Sequence, residues 1–431
     1  MSDHSHRHHH ESMLSVEEAL DRILSFFSVL ETEHTPILDA KGQVLSETVV
    51  GRFDVPPVDN SAMDGYAVKA DNLVGASMKT PVMLQVIGSI AAGELPNREV
   101  NSRTAIRIMT GAAIPHGANA IVPFERTDDV KYKSSGKTPS KISIYDEIAV
   151  GANIRPAGQD IKTGQVALEK GTVLRPAEIG VLASLGRSEV RVVRRPIAAI
   201  LATGDELIEP KDEYAHGKTY NSNSYSLAAA VSETGGIPMT LGIATDDMDS
   251  LADKLLQGLE SDILITSAGV SKGDYDMVKD ILVQHGDIEF WSVQMRPSKP
   301  LAFGLLRGQN GKTVPHLGLP GNPVSALVAF EQFGRAAICK MLGKNISPRP
   351  TIEAILEEPI HNTDGRRVYA RAIVTKRNGT YYAKLTGHQG SNLLTSMARA
   401  NGLAICPENI AKKNTGESVT VQMIDWPEVV F

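Results

Sequence analysis

Residues 261–282, SDILITSAGVSKGDYDMVKDIL, begin as an apolar strand and end as an amphipathic helix. The turn between them carries Ser267, Gly269, Ser271, Lys272, Gly273, Asp274 and Asp276. Glycines let backbone amides approach an anion, and the start of the following helix favours negative charge. Carboxylates at such a place also serve as plain helix caps. Two further acidic loops lie upstream: ATGDELIEP, with Thr203, Asp205 and Glu206, and ATDDMDS, with Asp246 and Asp247. Convergent carboxylates repel one another unless a cation joins them. Oxygen-rich loops beside a phosphate site commonly hold Mg²⁺.

A fourth loop reads GLPGNPVSALVAF. Pro320 and Pro323 fix its backbone, Gly321 permits an unusual dihedral, and Asn322 stands where it can cap a helix. The stretch is either a rigid turn presenting backbone groups to a ligand or a sharp strand-to-helix corner, and it leaves both open. Just before it, QMRPSKPLAFG places Arg296 and Lys299 on a proline-braced loop, which suits anion recognition. Nearer the N-terminus, DVPPVDNSAMDGYAV gathers Asp54, Asp59, Asn60, Ser61 and Asp64, and RIMTGAAIPHGANAIVP adds Arg107, Thr110 and Gly111. Ordinary surface turns have the same composition. Gly-Lys-Thr begins at Gly136, Gly217 and Gly311, but a phosphate loop needs glycine five residues earlier, where Lys131, Asp212 and Leu306 stand.

These loops need elements to hold them. From Pro196 onward apolar strand-like runs alternate with helix-like segments, predicting βαβ units and a parallel sheet covered on both faces. Ligands bind beyond the carboxyl ends of such strands, where the acidic loops fall. Residues from about Pro81 to Tyr145 alternate apolar and polar in short runs, a β-rich module. Ser15, with Glu18 three residues on, predicts a helix start, as does Pro176. From about Pro348 the pattern returns to short strands.

The chain has 431 residues, too many for one core. Aromatics make up 5% and the net charge is -6, which disfavours a base-stacking nucleic-acid binder and gives no basic field for a membrane. Two cysteines, Cys339 and Cys406, stand far apart, excluding a disulfide scaffold and a cysteine zinc site. No run of 18 apolar residues occurs. The N-terminal MSDHSHRHHHES carries five of the 12 histidines and lacks the apolar core of a signal peptide, so it reads as a disordered tail, with metal handling as the alternative. A cytoplasmic location is expected.

Taken together, DNSAMDGYAV, RIMTGAAIP, TGDEL, AGVSKGDYD and GLPGNPVSA resemble, in order, the molybdopterin molybdenumtransferases, the bacterial MoeA proteins, and the homologous E domain of gephyrin. The resemblance spans nearly the whole chain from about Leu14. It implies an elongated α/β plus β subunit. A linking domain (14–52 and 156–192) would carry a β-rich insert (53–155), followed by a parallel-sheet molybdopterin-binding-like domain (193–345) and a small C-terminal β-barrel (346–431). Residues 1–13 would be the tail.

The activity implied is insertion of molybdenum, from molybdate, into adenylylated molybdopterin with Mg²⁺ and release of AMP. The implied functional positions are Asp64, Thr110, Asp160, Glu206, Asp246 and Asp276, with Glu206 and Asp276 on the metal. Ser267, Gly269, Ser271, Arg296, Lys299, Pro320, Gly321, Asn322 and Pro323 would bind substrate, the two prolines marking the molybdate-pocket turn. A homodimer whose site is built by both chains, and transient contact with an adenylyltransferase, are also implied. Two positions depart from the family's pattern: Ala268 stands where a second glycine is common, and Ser292 where a lysine is common. The alternatives are a tungstate-inserting paralogue and, since gephyrin's E domain also clusters receptors, a scaffold.

Overall fold

The computed structural model describes residues 13–131, 138–245, 248–267, 286–308, 311–346 and 348–426. Among the expected site residues, Asp246, Gly269, Ser271 and Asp276 lie outside the described residues, as does nearly all of the histidine-rich tail. The chain divides into two compact units: residues up to Glu33, Gly42–Val44 and from Val192 onward form one, and His34–Lys41 with Leu45–Arg191 the other.

The second unit is built on a five-stranded sheet in the order Ala120–Pro123, Gly65–Val68, Thr104–Ile108, Val82–Ile90, Lys141–Ile144. Alternation sends Tyr66 and Val68 to one apolar layer and Ala67 to the other, so both faces are buried. Outside this sheet, Val49–Val50 pairs antiparallel with Val166–Leu168, and Asn60–Ser61 with Ile154–Arg155. Val49–Val50, before the β-rich stretch, thus meets Val166–Leu168 after it, while Asn60–Ser61 and Ile154–Arg155 pair near the two ends of that stretch. Pro176 opens the helix Pro176–Ser184, where its missing N–H is no loss.

The first unit contains the α/β sheet, ordered Ile237–Ala244, Ile197–Thr203, Ile263–Ser267, Thr313–Leu319, Pro300–Arg307, Gly286–Ser292. The first four strands are parallel, as the alternating pattern predicts. Pro300–Arg307 then runs antiparallel to Thr313–Leu319, and Gly286–Ser292 antiparallel to Pro300–Arg307. The reason is chain length: Pro300–Arg307 turns into Thr313–Leu319 through too few residues for a crossover, and Gly311 adopts φ +79° at the turn. Ile263 and Ile265 face one layer with the helices Val16–Leu24 and Ser222–Thr234; Leu264 faces the other with Met248–Gly258. Ser15 caps the first of these helices, its Oγ accepting from Glu18 N at 3.0 Å. Asn221 caps the second, which stops at Gly235 with φ +108°.

The C-terminal strands close on themselves. Arg367–Arg377 pairs with both Thr380–Leu385 and Gly402–Cys406, and the ring continues through Thr351–Leu356 and Ser418–Met423. This five-stranded barrel has its own apolar centre. Met295–Arg296, from the α/β region, adds to its rim by pairing parallel with Arg367–Val368.

Ile265 is fully buried on the central strand of the α/β sheet. Ile265→Ala should therefore lower the unfolding free energy of this unit by about 2–5 kcal/mol, read as a lower urea midpoint at unchanged slope.

Candidate active site

The carboxyl ends of the parallel strands open into a polar cavity of about 380 Å³. Thr203, Glu206, Asn223, Ser267, Gly321, Asn322 and Pro323 contribute to its lining. The ends of three neighbouring strands, Ile197–Thr203, Ile263–Ser267 and Thr313–Leu319, bring residues far apart in sequence together here, and the start of the Ser222–Thr234 helix joins them. Gly204 has φ +139°, and a Cβ there would lie 2.5 Å from a Glu206 carboxylate oxygen. Glycine is thus what lets the Glu206 carboxylate fold back over the strand end. Asn223 donates Nδ2–H to Gly321 O at 2.8 Å, tying the first turn of the Ser222–Thr234 helix to the proline-braced turn. Its Oδ1, and the Oγ of Ser267, are buried with no protein partner among the described residues. Unspent buried oxygens are costly, and a ligand or cation would satisfy them. Asn322 occupies the cap position of the Pro323–Ala329 helix, yet its side chain makes no cap hydrogen bond there.

A second cavity, of about 550 Å³, lies between the Arg296 loop and the barrel. Among the described residues four cations line it, Arg296, Lys299, Arg366 and Arg371, and no carboxylate does. Arg296 Nη1 donates to Thr363 Oγ1 at 3.3 Å, and Lys299 is exposed. Ser298 between them holds φ +77° with its buried hydroxyl unpartnered. Arg366 pairs with Asp364.

Arg371 differs from the others. It is 1% exposed, and among the described residues its guanidinium donates only to neutral acceptors, Gly390 O at 2.9 Å and Ser396 Oγ at 3.1 Å. Burial pushes its pKa down to about 10, still leaving it charged at neutral pH. Sequence reasoning missed this residue. Its signal is the strand VYARA, in which a charged side chain stands among apolar neighbours that are all buried, on one face or the other.

The two cavities share a wall. Arg296 and Lys299 fall in the basic one, whereas the turn from Gly321 to Pro323 belongs to the polar one with Glu206. Pro320 is buried behind that turn, and Ser292 pairs with Pro300 at the sheet edge.

In the other unit, Asp64 Oδ1 accepts from both Thr110 N and Thr110 Oγ1 at 2.7 Å. These bonds, the backbone one first, hold the Asp64 carboxyl below its usual range. Gly65 makes the arrangement possible: a Cβ there would sit 2.0 Å from Val122 O. Asp160 is exposed, with its N–H donating to Val55 O at 2.9 Å, and among the described residues no hydrogen bond links it to the Asp64–Thr110 pair.

A parallel-sheet end with unspent oxygens, beside a basic cavity lined among the described residues by no carboxylate, marks an α/β protein with two adjoining polar cavities. Comparison with known proteins agrees. Residues 14–186 match the MoeA N-terminal region (domain I and II), residues 199–340 a probable molybdopterin binding domain, and residues 353–424 the MoeA C-terminal region (domain IV). The chain is 36% identical over 416 residues to molybdopterin molybdenumtransferase 2 of Mycobacterium tuberculosis, covering 95% of this chain and 99% of that one. It is 33% identical over 422 residues to the molybdopterin molybdenumtransferase of Bacillus subtilis, covering 96% of each. The crystal structure of the molybdopterin biosynthesis MoeA protein of Pyrococcus horikoshii OT3 superposes with TM-score 0.76 at 31% identity, over 96% of this chain and all of that one. The chain belongs to the molybdopterin molybdenumtransferase family, a family of transferases.

Gly204→Ala should displace the Glu206 carboxylate and strain the backbone. Turnover should fall at least about tenfold, a change of about 1.4 kcal/mol in the barrier, while circular dichroism shows the sheet intact. Thr110→Val removes one of the two bonds to Asp64, so its carboxyl pKa, followed by NMR titration, should rise part of the way toward the ordinary value.

Proposed function

We propose that this protein inserts molybdenum from molybdate into adenylylated molybdopterin, releasing AMP and forming molybdenum cofactor. The single observation that carries this reading is Arg371: a buried cation without a carboxylate partner among the described residues, in a basic cavity that adjoins the polar cavity at the strand ends. A dianionic oxyanion supplies the missing charge through bidentate guanidinium bonds. Arg296 and Lys299 meet its remaining oxygens. The polar cavity then receives the pterin and nucleotide, with Ser267, Gly321, Asn322 and Pro323 against it.

Water attacks the adenylyl phosphorus as its bond to the molybdopterin phosphate oxygen breaks, so that AMP leaves carrying the water oxygen and the terminal phosphate stays with molybdopterin. Chemistry of this kind runs on positioning and charge neutralisation more than on a protein nucleophile. Magnesium, when bound, supplies neutralising charge at the phosphate oxygens. Glu206 and Asp276 would hold it; the carboxylate, amide and hydroxyl oxygens of the polar cavity are the donors a hard cation prefers. Asp64 and Thr110, locked to each other, with Asp160 and Asp246, complete the functional set. Gly269 and Ser271 would present backbone and hydroxyl donors to the nucleotide phosphates.

We further propose a homodimer in the cytoplasm, with transient contact to the adenylyltransferase that supplies the substrate. Among the described residues no helix is long and apolar enough to cross a membrane. Sedimentation at graded protein concentration tests the dimer.

Incubation with adenylylated molybdopterin, Mg²⁺ and either molybdate or tungstate tests the activity through AMP release and metal content of the product. No AMP release with either oxyanion would overturn it. Asp276→Asn should abolish AMP release without loss of fold. Loss of a charge-assisted bond costs about 1.5–3 kcal/mol, so Arg296→Ala should raise the half-saturating molybdate concentration by about tenfold to a hundredfold and change AMP affinity little.

A further inference from the structure

One segment belongs to both cavities. Gln389, Gly390 and Ser391 line the basic cavity, while Asn392 and Leu394 line the polar one. The Pro323–Ala329 helix does the same from the opposite side, with Ser325 in the basic cavity and Pro323 in the polar one. Val324 N donates to Ser391 O at 3.1 Å and stitches the two sides into one partition.

Arg371 holds that partition in place. Its Nη2 donates to Gly390 O at 2.9 Å, and its Nε to Ser396 Oγ at 3.1 Å. Ser396 Oγ donates in turn to Leu393 O at 2.7 Å. Gln389 clasps the Arg371 backbone, accepting from its N–H at 2.8 Å and donating to its carbonyl at 3.2 Å. The guanidinium that faces the basic cavity therefore grips the partition on both sides of Asn392. Ser396 lines neither cavity and is buried in the Leu394–Arg399 helix.

We propose that Arg371 and Ser396 are positioning residues that couple the two cavities, so that an oxyanion in the basic cavity and a nucleotide in the polar cavity bind with positive cooperativity. This rests on the reading that the basic cavity takes an oxyanion. The protein offers the buried guanidinium only neutral acceptors, so an arriving dianion dominates its electrostatics and fixes its pose. With the guanidinium fixed, Gly390 is held through its carbonyl and Leu393 through Ser396. Asn392, between those two anchors, is then set against the polar cavity before the nucleotide arrives. Ordering already met by the first ligand is not charged to the second. Linkage requires the effect to be reciprocal.

Calorimetric titration of the full-length protein, with molybdate and AMP as probes, tests this. Saturating molybdate should tighten AMP binding by about fivefold or more, and saturating AMP should tighten molybdate by the same factor. Ser396→Ala should leave each ligand alone binding within about twofold of wild type and bring the coupling factor below about two, whereas Ser396→Thr, which keeps the hydroxyl, should retain it. Thermal melts confirm that the variants fold, and the wild-type pair of titrations decides the matter even where the alanine variant is unstable. A coupling factor of one in the wild type, or an undiminished factor in Ser396→Ala, overturns the proposal. Molybdate binding that fails outright, or that Arg371→Gln leaves unchanged, instead overturns the oxyanion reading on which the proposal stands.

Discussion

A guanidinium removed from water, with no carboxylate to meet it among the described residues, lines the basic cavity of the first unit. Burying a lone cation costs several kcal/mol, and neutral acceptors return only part of that. Arg371 is tolerated because its strand, Arg367–Arg377, is locked into the barrel on both edges and cannot turn the side chain outward without losing register. The same strand carries Tyr369 into the main apolar layer and Ala370 into the barrel centre. The barrel's closure thus commits a charge to the boundary of a cavity. The Arg296 loop, hydrogen-bonded to that strand's first residues, brings further cations to the same place.

The polar cavity rests on a different constraint, the close approach of chain to chain. Gly204 lets the Glu206 carboxylate lie over the end of its own strand. The turn after Leu319 is braced by two prolines and tied to the helix start at Asn223. In the other unit, Gly65 passes so near Val122 that Asp64 is delivered to Thr110 without slack. At Gly204 and Gly65 a residue without a side chain fixes where an acidic neighbour can stand, which is how loops achieve the positional accuracy that phosphoryl chemistry needs. The thin partition between the cavities follows from the short connection between Gln389 and the Leu394–Arg399 helix.

Much of this was legible from the chain alone. The 3.6- and 2-residue periodicities separated the α/β stretch from the β-rich ones, and Ser15 and Pro176 marked helix starts through purely local backbone chemistry. The loops with Glu206, Ser267 and Gly321 were legible because strand–loop–helix alternation places them at one end of a parallel sheet. Family resemblance rested on those same loops. Tertiary structure alone decided the rest. The antiparallel edge of the sheet depends on which short connection pairs with which neighbour. Assignment of Arg296 and Lys299 to one cavity and of Pro323 to another depends on how the barrel docks, which no local signal carries. Arg371, read along the chain, is one more charge in a strand. Only closure of the barrel strips it of water and of any carboxylate, and desolvation is a property of the surroundings rather than of the residue.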